Sequence, residues 1–396
     1  MRRSKRALKI ENNFSRKWTA GPAKKAMQLN ADKPHRIFAE VAEEEALRQF
    51  ESAMQQAFVV RGALMPDVHV GYSLPIGAVV ATKDVVVPAW VGYDIGCGMC
   101  ALPTTYSAPR VRQKAQEIFE KIYKAIPVGS AHNTQNTPWK EERHLARSQT
   151  LKSIFAKDGL RQLGSLGSGN HFAEIGVDEK ERVWVVIHSG SRGIGHAVAT
   201  HHMRLASGGH KAREGHFGFE VHGVQGKDYL MDLNFCLSFA LENRREMMRR
   251  IVAVLDSLLV GEANWAELIN RNHNHVDKKE GLWIHRKGAT HAEEGMLGVI
   301  PGNMRDGSFI VRGKGNPESL WSSSHGAGRV LGRQAAKRSL ELKSFADTMH
   351  GIVAKISNGT LDESPFAYKN IFEVMKQQQD MVDIVAHVRP ILNMKA

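Results

Sequence analysis

Three β-branched runs, each emptying into a glycine-rich loop, constrain this chain more than any other feature of its sequence. PIGAVVATKDVVVPAWV (residues 75–91) leads into VGYDIGCGM, ERVWVVI leads into HSGSRG, and GSFIV leads into RGKG. Such runs are too short to span a membrane and read as buried strands. The glycines let the backbone bend where a strand-like run stops, so polar side chains in the loops can be turned toward one point.

Helical periodicity fills the stretches between. Residues 37–58 place Ile37, Val41, Ala46, Phe50, Met54 and Phe58 near helical spacing with acids between them, which predicts one amphipathic helix. Residues 229–259 carry Leu233, Leu237, Leu241, Met248, Val252, Leu255 and Leu259 on one stripe, and Arg244, Arg245, Arg249 and Arg250 are expected to form its solvated polar face. Residues 129–150 and 200–228 read as Gly-, Ser- and His-rich loops. No repeat, heptad run or low-complexity linker divides the chain. The expected fold class is therefore α+β: one large catalytic domain over residues 37–396, built of β-sheets flanked by helices, with a helical insertion at about 229–270.

Composition narrows the setting. With 42% hydrophobic and 24% charged residues, the 396-residue chain falls outside the disordered, collagen-like and disulfide-scaffold classes. Its three cysteines are too few for a disulfide framework, so their chemistry should be that of thiolates. No apolar stretch is long enough for a membrane span and no signal-peptide core follows the basic N-terminus, which predicts a soluble cytoplasmic protein. The net charge of +13 is concentrated at the start: residues 1–36 hold eleven Lys or Arg against Glu11 and Asp32. Such a basic arm is expected to attract a polyanion, with nucleic acid ahead of a merely solubilising tail.

The loops then supply chemistry. In VGYDIGCGM, Asp94 and Cys97 lie three residues apart, close enough to share a metal ion. His171 in GSGNHF, His188 in VVIHSGSRG and His273 in NHNHV complete a candidate donor set of Asp, Cys and three His. Five donors exceed the needs of one tetrahedral ion, so the set suits two metals bridged by the thiolate. Cys97 and Cys100 spell C-x-x-C, but no second pair completes a four-cysteine site. His69, His196, His275, His285 and His291 read as ordinary hydrogen-bonded histidines.

WSSSHGAGRVLGR (residues 321–333) surrounds His325 with small residues that leave its imidazole accessible and let a phosphate approach, with Arg329 beside it. Two roles fit His325, a nucleophile or the cap of a helix starting near Gly328. Nucleotide motifs are near misses: GSFIVRGKG and GAGRVLG each carry one residue too many for the phosphate-loop and dinucleotide fingerprints.

Together these segments resemble the RtcB family of RNA ligases. The resemblance covers MPDVHVGYSLPIGAVV (65–80), VGYDIGCGM, LGSGNHFAEI, HSGSRGIGH, NHNHV, HRKGATHA, SSSHGAGR and the closing HVRPILNMKA, in family order from about residue 37 onward. It implies a GTP-dependent ligase of RNA repair or tRNA splicing, joining RNA 3′-phosphate or 2′,3′-cyclic phosphate ends to 5′-hydroxyl ends. Two manganese ions are implied, one on Asp94, Cys97 and His171 and the other on Cys97, His188 and His273. His325 would take GMP from GTP as a phosphoramidate. Guanosine contacts are implied at Asn170, His171, Phe172, Glu174, His273, Asn274, Pro301, Gly302, Asn303, Met304, Ser308, Gly326, Ala327, Gly328 and Lys395. Arg192, Lys287 and Arg329 are the candidate RNA-phosphate contacts, and an archease-like activator is the further partner the family suggests.

The chain departs from the family pattern in three places. Arg305 and Asp306 intrude in PGNMRDGS, His291 stands where Arg is common, and the chain ends Lys-Ala. It is also compact, in the manner of a bacterial-type member. Cys and His donors by themselves favour zinc or iron, so manganese rests on the resemblance alone. The rival enzyme reading is a dinuclear phosphoesterase acting on RNA ends without GTP, with His325 as an acid. The non-enzymatic rival is an RNA-end-binding protein whose site has decayed.

Overall fold

A computed structural model describes residues 32–395. The expected basic arm falls almost wholly outside the described residues. Strands and helices alternate irregularly along the described chain, as an α+β fold requires, and the strands gather chiefly into two sheets.

The larger sheet runs in the order Leu297–Pro301, Ser308–Gly313, Val382–Lys395, Phe172–Val177, Arg182–Ser189, Gly98–Ser107 and Ile269–Asn272, with Val353–Ala354 paired at the side. Its first and last strands approach each other, so the sheet curls almost into a barrel. Two-residue alternation explains how it is filled. Val183, Val185 and Ile187 face outward with Cys100, Leu102, Ala173 and Ile175, under the helices Ala115–Ala125 and Val224–Asp256. Trp184, Val186, Met99, Ala101, Phe172 and Ile269 face the inside of the curl.

The second sheet orders His35–Ile37, Val59–His69, Ile76–Thr82, Leu282–Lys287 and Asn274–Lys279. The two sheets are joined at His273, which separates a strand of one from a strand of the other. Its N–H donates to the Cys97 carbonyl at 2.7 Å and its carbonyl accepts from Ala289 at 3.1 Å.

Several expectations need correction. The helix read over 37–58 is confined to Glu44–Met54. Ile37 belongs instead to a strand in parallel register with Gly62–Leu64, a long-range pairing that helical periodicity cannot register. Within 75–91 only Ile76–Thr82 and Val85–Val86 are strands; Pro88–Val91 is a helical turn, where proline is at home in the first turn. Asp94 and Cys97 therefore precede a strand rather than follow one. The loop read over 200–228 is entered by the helix Arg192–Ala206 and left by the helix Val224–Asp256. That long helix starts earlier and stops earlier than its leucine stripe suggested. It packs Met247, Met248, Ile251, Val252 and Leu255 into the outer core of the larger sheet, and the segment read as an insertion returns to that sheet at Ile269–Asn272.

The arginines of this helix are not one solvated face. Arg245 and Arg249 do lie outside, paired with Glu242 and Glu246. Arg250 turns in to Asn133 at 2.8 Å and the Gly164 carbonyl at 3.1 Å. Arg244 is fully buried. Its guanidinium donates to the carbonyls of Gly96 (2.9 Å) and Ser189 (2.8 Å) and to the side-chain oxygens of Asn270 and Asn272, both at 2.7 Å. Burial lowers its pKa to about 10, which still leaves it charged at neutral pH.

Among the described residues no helix is long and apolar enough to cross a membrane. Arg244→Leu should leave those acceptors unpaired in the interior and destabilise the fold by on the order of 3–5 kcal/mol. Urea unfolding would show this as a lowered midpoint, and Arg244→Lys should recover little because an ammonium cannot span the same fork.

Candidate functional site

The side chains singled out from the loops meet at one end of the curled sheet. Register brings them there: Met99 pairs with His188, Phe172 pairs with His188, and Gly98 pairs with both Ser189 and Asn272. His188 shares the inner face with Trp184 and Val186, and Cys97 and His273 continue the inward parity of Met99 and Ile269.

Cys97 Sγ stands in the middle of the group. It is 3.4 Å from His171 Nε2 and 3.2 Å from His188 Nε2. His171 Nε2 continues to Asp94 Oδ2 at 2.9 Å, and His188 Nε2 to His273 Nε2 at 3.3 Å. Gly190 is required for this approach, since a Cβ there would fall 2.2 Å from Asp94 Oδ1.

The donor chemistry suits a cation. His171 Nδ1 donates to the Leu166 carbonyl at 2.9 Å, and His188 Nδ1 to the Asn170 carbonyl at 3.2 Å. Those bonds fix the protons on Nδ1 and leave both Nε2 lone pairs aimed into the group. Burial drives His188 and His273 well below the ordinary histidine range, so both are neutral donors. Burial, reinforced by the Asp94 carboxylate, pushes the Cys97 thiol well above its ordinary range. Burial opposes ionisation of Asp94 too, yet the His171 imidazole brings it down to about 2. A thiol sulfur, imidazole nitrogens and a carboxylate crowded at hydrogen-bond distance are donor atoms that a metal ion would satisfy in place of the protons they otherwise share. Cys97, His171 and His188 form a buried group able to hold one.

His325 lies next to this group, its ring centroid 4.8 Å from that of His273. It follows the short strand Ser322–Ser324, and the next helix begins only at Arg333, so the helix-capping role is excluded. A residue not marked from the sequence, Asp67, holds it. Asp67 Oδ2 lies 2.6 Å from His325 Nδ1 and accepts the backbone N–H groups of His325 (3.1 Å) and Gly326 (3.2 Å). Although burial works against it, the His325 imidazole holds the Asp67 carboxyl below its usual range. Gly288, at φ +63°, passes so close that a Cβ would lie 3.0 Å from the His325 ring.

Two cavities flank the metal-binding group. The first, of about 270 Å³, is lined by His325, His188 and Asn170, by Phe172, Pro301, Gly302, Asn303 and Met304, by Gly326, Ala327 and Gly328, and by Lys395. His69, which the sequence reads as an ordinary hydrogen-bonded histidine, also lines it, as do Tyr368 and Asn393. Glu174 and Ser308 lie behind its wall: Ser308 Oγ donates to Glu174 at 3.4 Å and Asn393 Nδ2 donates to it at 2.8 Å. Burial raises the Glu174 carboxyl to about 8. Asn274 faces neither cavity; its side chain ties the Asp94 carbonyl to the Gly288 N–H.

The second cavity, of about 790 Å³, reaches Asp94, His171 and Asn170 from the other side and is walled by Arg192, Arg333 and Lys337. Arg192 sits in left-handed backbone at φ +59°, an uncommon state for a residue with a side chain, and its guanidinium reaches the Gly129 carbonyl at 3.1 Å. Arg329 is committed inside the protein to Glu363 (3.2 Å) and Tyr368 (3.1 Å). Lys395 is ion-paired with Glu363. Lys287 is buried, with Nζ donating to the Ala89 carbonyl at 3.2 Å.

His275, Asp277 and His291 form a further group of donors, with His291 supplying the imidazole where the sequence pattern leads one to expect Arg. Arg286 already occupies its centre, at 3.2 Å from His275 Nε2 and 2.5 Å from Asp277. The intruding Arg305 and Asp306 pair with each other at 2.7 Å in a turn closed by Asn303.

A family model described as tRNA-splicing ligase RtcB matches residues 49–396. The chain is similar to the RNA-splicing ligase RtcB of Escherichia coli (strain K12), 34% identical over 387 residues that cover 89% of this chain and 94% of that one. It is similar also to the tRNA-splicing ligase RtcB of Nanoarchaeum equitans, 28% identical over 87% of this chain and 90% of that one.

The buried Lys287 gives a pH signature. Burial lowers its pKa from 10.5 to about 8, so between those values the unfolded chain binds the proton and the folded chain does not. Stability should therefore rise with pH across that window. Lys287→Met should add up to about 3 kcal/mol at neutral pH and remove that rise, which denaturant titrations of both proteins at neutral and alkaline pH would measure.

Proposed function

The chain belongs to the tRNA-splicing ligase RtcB family, and from that premise we propose that it joins RNA 3′-phosphate or 2′,3′-cyclic phosphate ends to 5′-hydroxyl ends, using GTP and carrying GMP on His325. The observation that carries this reading is the position of His325. It lies beside His273 and faces one cavity, while the same metal-binding group opens on its far side into another. That arrangement fits a nucleotide activated on one side and an RNA end presented from the other.

Two manganese ions would be held by Asp94, Cys97 and His171 and by Cys97, His188 and His273, consistent with the central place of the Cys97 sulfur. When bound they would draw charge off phosphate oxygens and ease departure of the leaving group.

The protein's own groups do the rest. The Asp67 carboxylate against Nδ1 favours the proton on that atom, leaving Nε2 of His325 as the nucleophile. Nε2 forms a bond to the α-phosphorus of GTP as the bond to pyrophosphate breaks. A 3′-phosphate oxygen of the RNA, generated first by hydrolysis where the end is cyclic, then attacks the same phosphorus and frees His325. The 5′-hydroxyl attacks the activated RNA phosphate, giving up its proton as GMP departs.

In the first cavity Asn170, Phe172, Pro301, Gly302, Asn303, Met304, Gly326, Ala327, Gly328 and Lys395 would surround the guanosine, with Glu174 and Ser308 acting through Asn393. Of the three candidate phosphate contacts, Arg192 faces the second cavity directly. Arg329 lines the first cavity instead, and Lys287 lines neither.

Incubation with manganese and GTP labelled at the α-phosphate should give a protein-bound label that is acid-labile and alkali-stable, as a phosphoramidate is. His325→Ala should abolish it. Persistence of the adduct in that variant would remove His325 from the mechanism, and RNA-end hydrolysis with no adduct in the wild-type protein would favour the phosphoesterase reading. Cys97→Ala should lose both metal ions together, whereas His273→Ala should weaken mainly one. Metal analysis of the purified variants distinguishes these, and two ions retained without Cys97 would refute a shared thiolate.

A further inference from the structure

At the rim of the second cavity the rings of Tyr93 and His196 are stacked, with centroids 5.0 Å apart and planes inclined by 20°. Neither residue belongs to the candidate metal, nucleotide or phosphate contacts. Tyr93 is half-buried and His196 exposed, so the pair offers an open aromatic edge rather than a core contact. The Tyr93 hydroxyl interacts with Glu214, and the Thr200 hydroxyl lies 3.5 Å from the His196 ring. Each ring thus has a side-chain partner of its own.

The ring pair and the metal-binding group share a chamber. Tyr93 immediately precedes Asp94, whose carboxylate faces the donor cluster. Tyr93, His196, Asp94 and His171 all line this one cavity, so a planar group on the ring pair and a phosphate among the donors would occupy the same chamber.

The charges of the cavity agree with a single nucleotide rather than a long run of phosphates. Arg333 is paired with Asp362 and Glu363, both at 2.9 Å, and Lys337 with Asp362 at 3.4 Å. That leaves Arg192, beside Asp94, as the cation of the wall without a carboxylate partner at ion-pair distance.

We propose that the stacked Tyr93 and His196 rings are the platform for the terminal nucleobase of the phosphate-bearing RNA end, placing that end's phosphate at Asp94 and His171. The inference rests on the RNA-ligase reading above and names the subsite through which that RNA would be held. Stacking is tolerant of sequence but grows with ring area, so a terminal purine should be preferred over a pyrimidine.

The test is a cycle between ring and base. Binding of the metal-loaded protein would be measured for a short single-stranded RNA ending in a 3′-phosphate, with either adenine or an abasic sugar at its last position. In the wild-type protein, loss of the base should weaken binding about tenfold, within the range that base–aromatic stacking provides. In Tyr93→Leu the same loss should cost less than twofold, and Tyr93→Phe should restore the full effect. A terminal 2-aminopurine should be quenched on binding to wild type and to Tyr93→Phe, but much less by Tyr93→Leu. His196→Ala provides a second variant should Tyr93→Leu fail to fold.

An equal abasic penalty in wild type and both ring variants, or no penalty in wild type, overturns the platform. Failure of the ligase reading would look different, as absence of joined product from the wild-type protein with a normal base at the terminus.

Discussion

One buried guanidinium holds the candidate site together. Arg244 reaches Gly96 in the loop that carries Asp94 and Cys97, Ser189 beside His188, and Asn270 and Asn272 in the strand that delivers His273. Segments distant in the chain are thus pinned to one planar fork whose geometry leaves little freedom. A charged group with no exposure is costly unless every donor is used, and here the main donors end on carbonyl or amide oxygens. The long helix is consequently the strut of the donor cluster, not an appendage to it.

This role also shows where the sequence stops being informative. Arg244 sits among Arg245, Arg249 and Arg250, and a cluster of charge on a helix is usually a solvated surface. Two of the four arginines obey that rule. The other two are drawn inward because loops from distant parts of the chain present unpaired carbonyls there, and nothing in the local pattern records those loops. The strands were more legible because their signal is local: VWVVIH and SFIVRG are strands, and their two-residue alternation divides the two faces of the sheet as it must. Ile37 is as hidden from the local pattern as Arg244, since its partner, Leu64, lies beyond any helical window.

The chemistry-bearing residues were legible for a different reason. Asp94, Cys97, His171, His188 and His273 stand in glycine-rich contexts that ordinary core residues do not need, and the structure brings all five together. Asp67 escaped notice because its importance is relational. A carboxylate near a strand end has no distinguishing neighbour in sequence, and its function appears only when His325 arrives from the other end of the chain. The same holds for Asn393, which looks like an ordinary strand residue until it is seen between Glu174 and the cavity.

Glu363 makes the final connection. It accepts from Arg329 and Arg333, receives the Tyr368 hydroxyl at 2.6 Å, and pairs with Lys395. Although burial raises the cost of its charge, the Lys395 and Arg333 cations hold its carboxyl below the usual range. Lys395 and Arg329 line the first cavity, Glu363 itself lines the second, and Arg333 lines both. The buried Glu363 carboxylate, with its neighbour Asp362 also paired to Arg333, therefore fixes the wall that the two chambers share. A wall assembled in this way is stiff, because moving any one cation uncovers a buried negative charge. Stiffness there is what a site with two facing chambers requires: the spacing between His325 in one chamber and Asp94 in the other is set by the wall between them, and that wall hangs chiefly on Glu363.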